Sequence, residues 1–157
     1  MVAKTQDQRP APADAAKGLV VPALGPVYRR MTPLMEALLR ILAGLLLAVH
    51  GSGKIFDPFA MVAMVESLGF QPGEFWSPLL AITEFFGGLL IAFGFLTRPA
   101  ALAGALVLAV TVYFHGMVMD EGLTGMEKSL LWMMILLFFS MRGATAYGID
   151  ARLRRQV

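Results

Sequence analysis

Leu79-Leu-Ala-Ile-Thr-Glu-Phe-Phe-Gly-Gly-Leu-Leu-Ile-Ala-Phe-Gly-Phe-Leu96 decides the fold. About 20 apolar residues, rising 1.5 Å each, cross the roughly 30 Å of hydrocarbon in a bilayer. The run therefore reads as the core of a membrane-spanning helix. Its one ionisable group is Glu84. A carboxylate at that depth costs at least about 2.5–3.5 kcal/mol on insertion scales, more if no partner or water reaches it. Two readings stand: a functional group inside the membrane, or a residue that glues two helices together by hydrogen bonding.

Outward from this run, four spans are expected at about 34–54, 76–96, 99–119 and 123–141. The third is the cleanest. The fourth carries Glu127 and Lys128 near its start and spans only if that pair lies inside the bundle. Composition agrees with a membrane protein: 57% of the 157 residues are hydrophobic and 15% charged, against about 45–50% and 25% in soluble domains. The fold class is therefore all-α, an integral membrane four-helix bundle. With no Cys there is no disulfide and no thiol redox pair. The net charge of +2 comes from residues that flank spans, not from a continuous basic patch, which argues against nucleic acid as a partner.

Residues 1–33 hold Pro10, Pro12, Pro22, Pro26 and Pro33 among scattered charges. They read as a disordered tail, without the continuous apolar stretch of a cleaved signal. The membrane domain is then 34–157. Lys and Arg set the orientation. Lys4, Arg9, Lys17, Arg29 and Arg30 precede the first span, Arg98 sits in the turn between the second and third, and Arg142, Arg152, Arg154 and Arg155 follow the fourth. The other two loops hold Lys54 and Lys128 against six acidic residues: Asp57, Glu66, Glu74, Asp120, Glu121 and Glu127. Both termini are expected on the cytoplasmic side, with an acidic outer face.

The first outer loop carries its own signal. Asp57-Pro58 resembles an N-cap with Pro at the first helical position, and Gly69 a stop. Met61, Met64, Val65 and Leu68 lie at i, i+3, i+4 and i+7, one apolar face. A short interfacial helix is expected there, able to lid a cavity or simply to cover the bundle top.

Counting residues from the cytoplasmic ends brings His50, Glu84, His115 and Glu127 to one level, roughly 21–24 Å up, with one on each span. Lys54 stands one turn above His50, and Lys128 adjoins Glu127. On the first span Arg40, Gly44, Leu47, Gly51 and Lys54 form a stripe, and on the second Glu84, Gly87, Gly88 and Ile91 share a face. Lys54 with Glu84 is the most economical pair, because each offsets the other's desolvation. The candidates for ligand binding or proton handling are Glu84, Lys54, His115, His50, Glu127 and Lys128. A quinone headgroup suits this layer, since its carbonyls accept from His or Lys and its tail fits an apolar crevice. A b-type haem would use the two His as axial ligands, but two His near helix ends are a weak signal for it. No ligand spacing points to a metal.

These residues resemble the DoxX family of small four-span bacterial inner-membrane proteins. The pattern comprises an Arg opening the first span (Arg40), Gly53-Lys54, Glu84-Phe-Phe-Gly87-Gly88, Gly94-Phe-Leu-Thr-Arg98-Pro99, His115, and Gly143-Ala-Thr-Ala-Tyr147-Gly148-Ile-Asp150. It runs from about Arg40 to Arg155 and touches Arg40, Lys54, Glu84, Arg98, His115, Lys128 and Asp150, with Arg40, Arg98 and Asp150 on the cytoplasmic side. His50 stands where the pattern requires no His. The resemblance implies an accessory subunit of a quinone-linked membrane complex, at most one part of an oxidoreductase, with no electron carrier of its own. The partners implied are the bilayer and other membrane subunits or a second copy. A scaffold whose polar layer only fixes packing, and a small transporter or proton conduit, remain the alternatives.

Overall fold

Among residues 19–153, which the computed structural model describes, every regular element is helical. Six α-helices follow one another: α1 Gly25–Phe56, α2 Val62–Ser67, α3 Gly73–Phe93, α4 Thr97–Tyr113, α5 Gly122–Arg142 and α6 Ile149–Arg152. A π-helical turn, Phe114–Val118, extends α4. With that extension, four of the helices are long and apolar enough to cross a membrane, as the sequence requires.

The boundaries differ from expectation in instructive ways. α1 begins at Gly25, nine residues before the expected span, after a single 3-10 turn over Pro22–Leu24. Pro26 sits in its first turn, where a missing N–H costs nothing. Residues 25–33 are therefore helix and not tail, whereas residues 1–18 lie outside the described part. At 32 residues α1 is about 48 Å long, well over the hydrocarbon thickness. A helix of that length tilts in the bilayer or extends past its apolar layer. α3 stops at Phe93 and not Leu96, because Gly94 takes the left-handed conformation (φ 68°). The Gly94 and Phe95 N–H groups then donate to Ile91 and Leu90 carbonyls, a helix-ending motif that favours glycine.

α1 packs along α3 and α4 along α5. The α1–α3 contact is backbone on backbone: a Cβ on Gly88 would stand 2.5 Å from the Ala48 nitrogen, and one on Gly51 would stand 2.6 Å from that of Phe85. Small residues permit this approach, which gains dispersion contact where lipid supplies no hydrophobic drive. The dry core joins both pairs through Ala43, Leu47, Ile91, Ala100, Ala101, Ala105, Leu136 and Phe139. All eight lie toward the end of the bundle where α3 turns into α4. The opposite end is built differently.

Candidate functional site

That opposite end holds a cavity of about 540 Å³ walled by α1, α2, α3 and α4. The apolar face expected between Asp57 and Gly69 forms one wall: Met61, Met64, Val65 and Leu68 all line the space. The helix itself is shorter than expected, six residues from Val62 to Ser67. Asp57 does not cap it. That residue ends α1, and Met61 occupies the cap position. What holds the segment is α3. The buried Ser77 hydroxyl donates to the Pro58 carbonyl and accepts from the Met61 N–H, while Glu66 accepts from the Gly73 N–H at 3.0 Å. Phe70 and Trp76, edge to face at 5.3 Å, add an aromatic stretch to the wall.

Lys54 and Glu84 meet as expected. The Lys54 ammonium donates to Glu84 Oε2 at 2.5 Å, and Glu84 is 3% exposed. The pairing follows from local structure: Gly51 on α1 touches the Glu84 backbone and Cβ region, so Lys54, one turn on, reaches the carboxylate. Both residues line the cavity, and the Lys54 side chain is 20% exposed. His50 also lines it, with Nε2 4.0 Å from the other Glu84 oxygen and a side chain 70% exposed. That distance is beyond a hydrogen bond.

His115 reaches the same cavity but takes a different partner. Its Nδ1 lies 2.7 Å from Glu121 Oε2, on the loop that follows. The sequence gives little warning of Glu121, because the π-helical turn and a left-handed Asp120 (φ 51°) bring it back beside the imidazole. Thr83, Thr111 and Phe114 are further lining residues that charge counting passes over. Glu127 and Lys128 are not part of the site. Both are exposed and neither lines the cavity. Helix rise fixes the level of a residue and leaves its face open. Glu127 stands nine residues before the fully buried Leu136, roughly 180° around the helix.

Arg40, Arg98 and Asp150 gather at the other end, around the α3–α4 turn. Arg40, 1% exposed, donates through Nη1 to the Ile91 and Ala92 carbonyls, each at 2.6 Å. Asp150 accepts from the Leu96 and Thr97 N–H groups at 3.0 and 3.1 Å, and its own N–H donates to the Gly94 carbonyl. Leu96 is left-handed (φ 47°), a conformation costing about 1–3 kcal/mol in a residue with a Cβ. The Asp150 carboxylate helps offset that cost. Arg98 is the second residue of α4 and half-buried. Arg40 thus ends one helix and Asp150 starts the next, a capping role. No three of the described His and carboxylate residues come together as a metal site.

The DoxX family model matches residues 35–117, which takes in Arg40, His50, Lys54, Glu84, Arg98 and His115. Lys128 and Asp150 fall outside the matched segment. The inner membrane protein YqjF of Escherichia coli K12 is 35% identical over 119 residues, covering 74% of this chain and 90% of that protein. An uncharacterized protein of Haemophilus influenzae is 27% identical over 127 residues, covering 75% and 90%. No solved structure matches. The chain belongs to the DoxX family.

Proposed function

We propose that this DoxX-family protein works in a bacterial inner membrane as the quinone-binding accessory subunit of a redox-linked complex. The headgroup occupies the cavity beside Lys54 and Glu84. One observation carries the reading: a largely buried ion pair opens into a mostly apolar cavity. Packing alone does not call for that pair. α1 and α3 already meet through glycine, and a buried ion pair replaced by apolar residues of similar volume is often neutral or stabilising. A charged ammonium held by a carboxylate is a fixed donor for a carbonyl oxygen, and a charge-assisted bond is roughly twice as strong as a neutral one. Phe70 and Trp76 offer aromatic surface for the ring. His50 and His115 stand within the same lining as further donors or proton carriers. The Escherichia coli relative, an inner membrane protein, supports the inner-membrane location.

A scaffold role has one observation in its favour, since the Lys54–Glu84 bond links two helices. The two readings separate on Glu84→Gln. Gln keeps the volume and still accepts from Lys54 but carries no charge. Purified protein in lipid nanodiscs is titrated with a quinone. A saturable wild-type isotherm, weakened about tenfold or more in the folded Glu84→Gln protein, supports the binding site; a tenfold change corresponds to ~1.4 kcal/mol. Equal isotherms leave the pair as glue.

The charge asymmetry also directs the cavity end away from the cytoplasm. Cysteines placed at Glu74 and Glu121 should then react with an impermeant thiol reagent on intact cells, and one at Arg152 should not. Labelling at Arg152 from outside inverts the orientation.

A further inference from the structure

Gly87 and Gly88 are adjacent and both buried, yet they meet opposite surroundings. Gly88 has no room for a side chain, because Ala48 of α1 lies against it. At Gly87 no atom stands within 4 Å of where a Cβ would be. Leu80, Thr83, Glu84 and Gly87 are spaced i, i+3, i+4 and i+7, so they share one face of α3. The first three line the cavity. Gly87 continues that face one turn deeper into the bundle, past the carboxylate.

α4 continues the same space. Its lining residues run from Phe114 down to Ala103, a drop of about 16 Å at 1.5 Å per residue. Ala103, which lines the hollow, stands six residues after Thr97, and Gly87 six before Phe93, so the two small residues lie at matching depth. Leu79 and Leu106 line the cavity while being 40% and 62% exposed. They are cavity wall and outer surface at once, so the space opens sideways at these residues, while His50, with a side chain 70% exposed, lines it near the charged pair. A space this long, apolar below its charged pair and open sideways, is far larger than a ring needs.

Resting on the quinone reading above, we propose that the ligand is a long-tailed isoprenoid quinone. Its tail lies in the slot between α3 and α4, with Gly87 and Ala103 as the floor. Gly87 is then a specificity residue: its missing side chain leaves room for the tail, while its neighbour's serves helix packing.

The test uses full-length protein in nanodiscs of fixed lipid composition and two probes, a long-chain ubiquinone and a tail-less dimethoxy-methyl-benzoquinone. Gly87→Leu should weaken the long-chain quinone about tenfold or more relative to wild type and leave the tail-less one within about twofold, tenfold being ~1.4 kcal/mol. Comparison with wild type for each probe cancels partitioning into lipid. Gly87→Ala serves as the folding control. It should keep wild-type binding and unfold no earlier, because alanine favours helix over glycine. If Gly87→Leu weakens both probes equally, or neither, the tail slot is wrong and the headgroup site stands. If wild type binds neither probe, the quinone reading fails and this inference falls with it.

Discussion

At the α3–α4 turn, the buried guanidinium of Arg40 is committed to two backbone carbonyls, and the Asp150 carboxylate to two backbone N–H groups. At the far end, Lys54 and Glu84 bond to each other and border a hollow. The difference teaches how to tell two kinds of membrane-buried charge apart. A charge whose partners are helix ends completes secondary structure that lipid cannot solvate. A charge whose partner is another side chain, with empty apolar space beside it, has capacity left for a ligand. The dry core and the cavity follow the same division, one toward each end of the bundle.

The largest effect should come from the closed end. Arg40→Met takes the side-chain donor from the Ala92 carbonyl, leaves that of Ile91 with the Gly94 N–H alone and deprives Asp150 of its nearby cation, at a cost of about 3–5 kcal/mol. Unfolding titrated in mixed micelles reads it; a loss below about 1 kcal/mol would erase the distinction between the two ends. Lys54→Met should cost less, about 2 kcal/mol, because the survivor Glu84 borders a cavity that water can enter. Adding Glu84→Leu should recover most of that loss, whereas strictly additive losses would mean the two residues are not coupled.

Smaller effects sharpen the contrast within one helix. Gly88→Ala forces a methyl against the Ala48 backbone and should cost about 1.5 kcal/mol, while Gly87→Ala should be neutral or gain up to about 1 kcal/mol. Equal thermal shifts for the two would contradict the open space at Gly87. The smallest change is expected at the rim. Glu121→Gln removes the charge from a partly exposed contact with His115 and should alter stability by no more than about 0.5 kcal/mol, so a loss of several times that would make the loop structural.

The spans and the apolar face of the outer loop are legible in the sequence because each depends on short-range periodicity, and the interhelical Lys54–Glu84 pair because each charge offsets the other's desolvation. Hydrophobic runs set the helices, and residues one turn apart share a face whatever the neighbours do. The early start of α1 is hidden because Pro26 reads as a breaker, although at a helix start it is tolerated. The fourth member of the polar layer fails for a different reason. Counting residues gives height along a helix, but the side that Glu127 faces depends on how α5 is rotated against α4. Glu121 is hidden because a π-helical turn changes the register between it and His115. The capping roles of Arg40 and Asp150 are also invisible locally. They join residues 51 to 54 positions apart, and their partners are backbone atoms that every residue possesses.

The central claim is that the hollow end of the bundle is a ligand site and the closed end is not. The most direct measurement is photolabelling with a quinone that carries a photoreactive group on its ring, followed by mass mapping of the adducts. Labelled peptides should come from the cavity walls, residues 50–54, 61–84 and 103–115, and unlabelled quinone should suppress them. Adducts spread over the outer faces of α1 and α5, undiminished by competitor, would show a quinone dissolved in lipid and contradict the site.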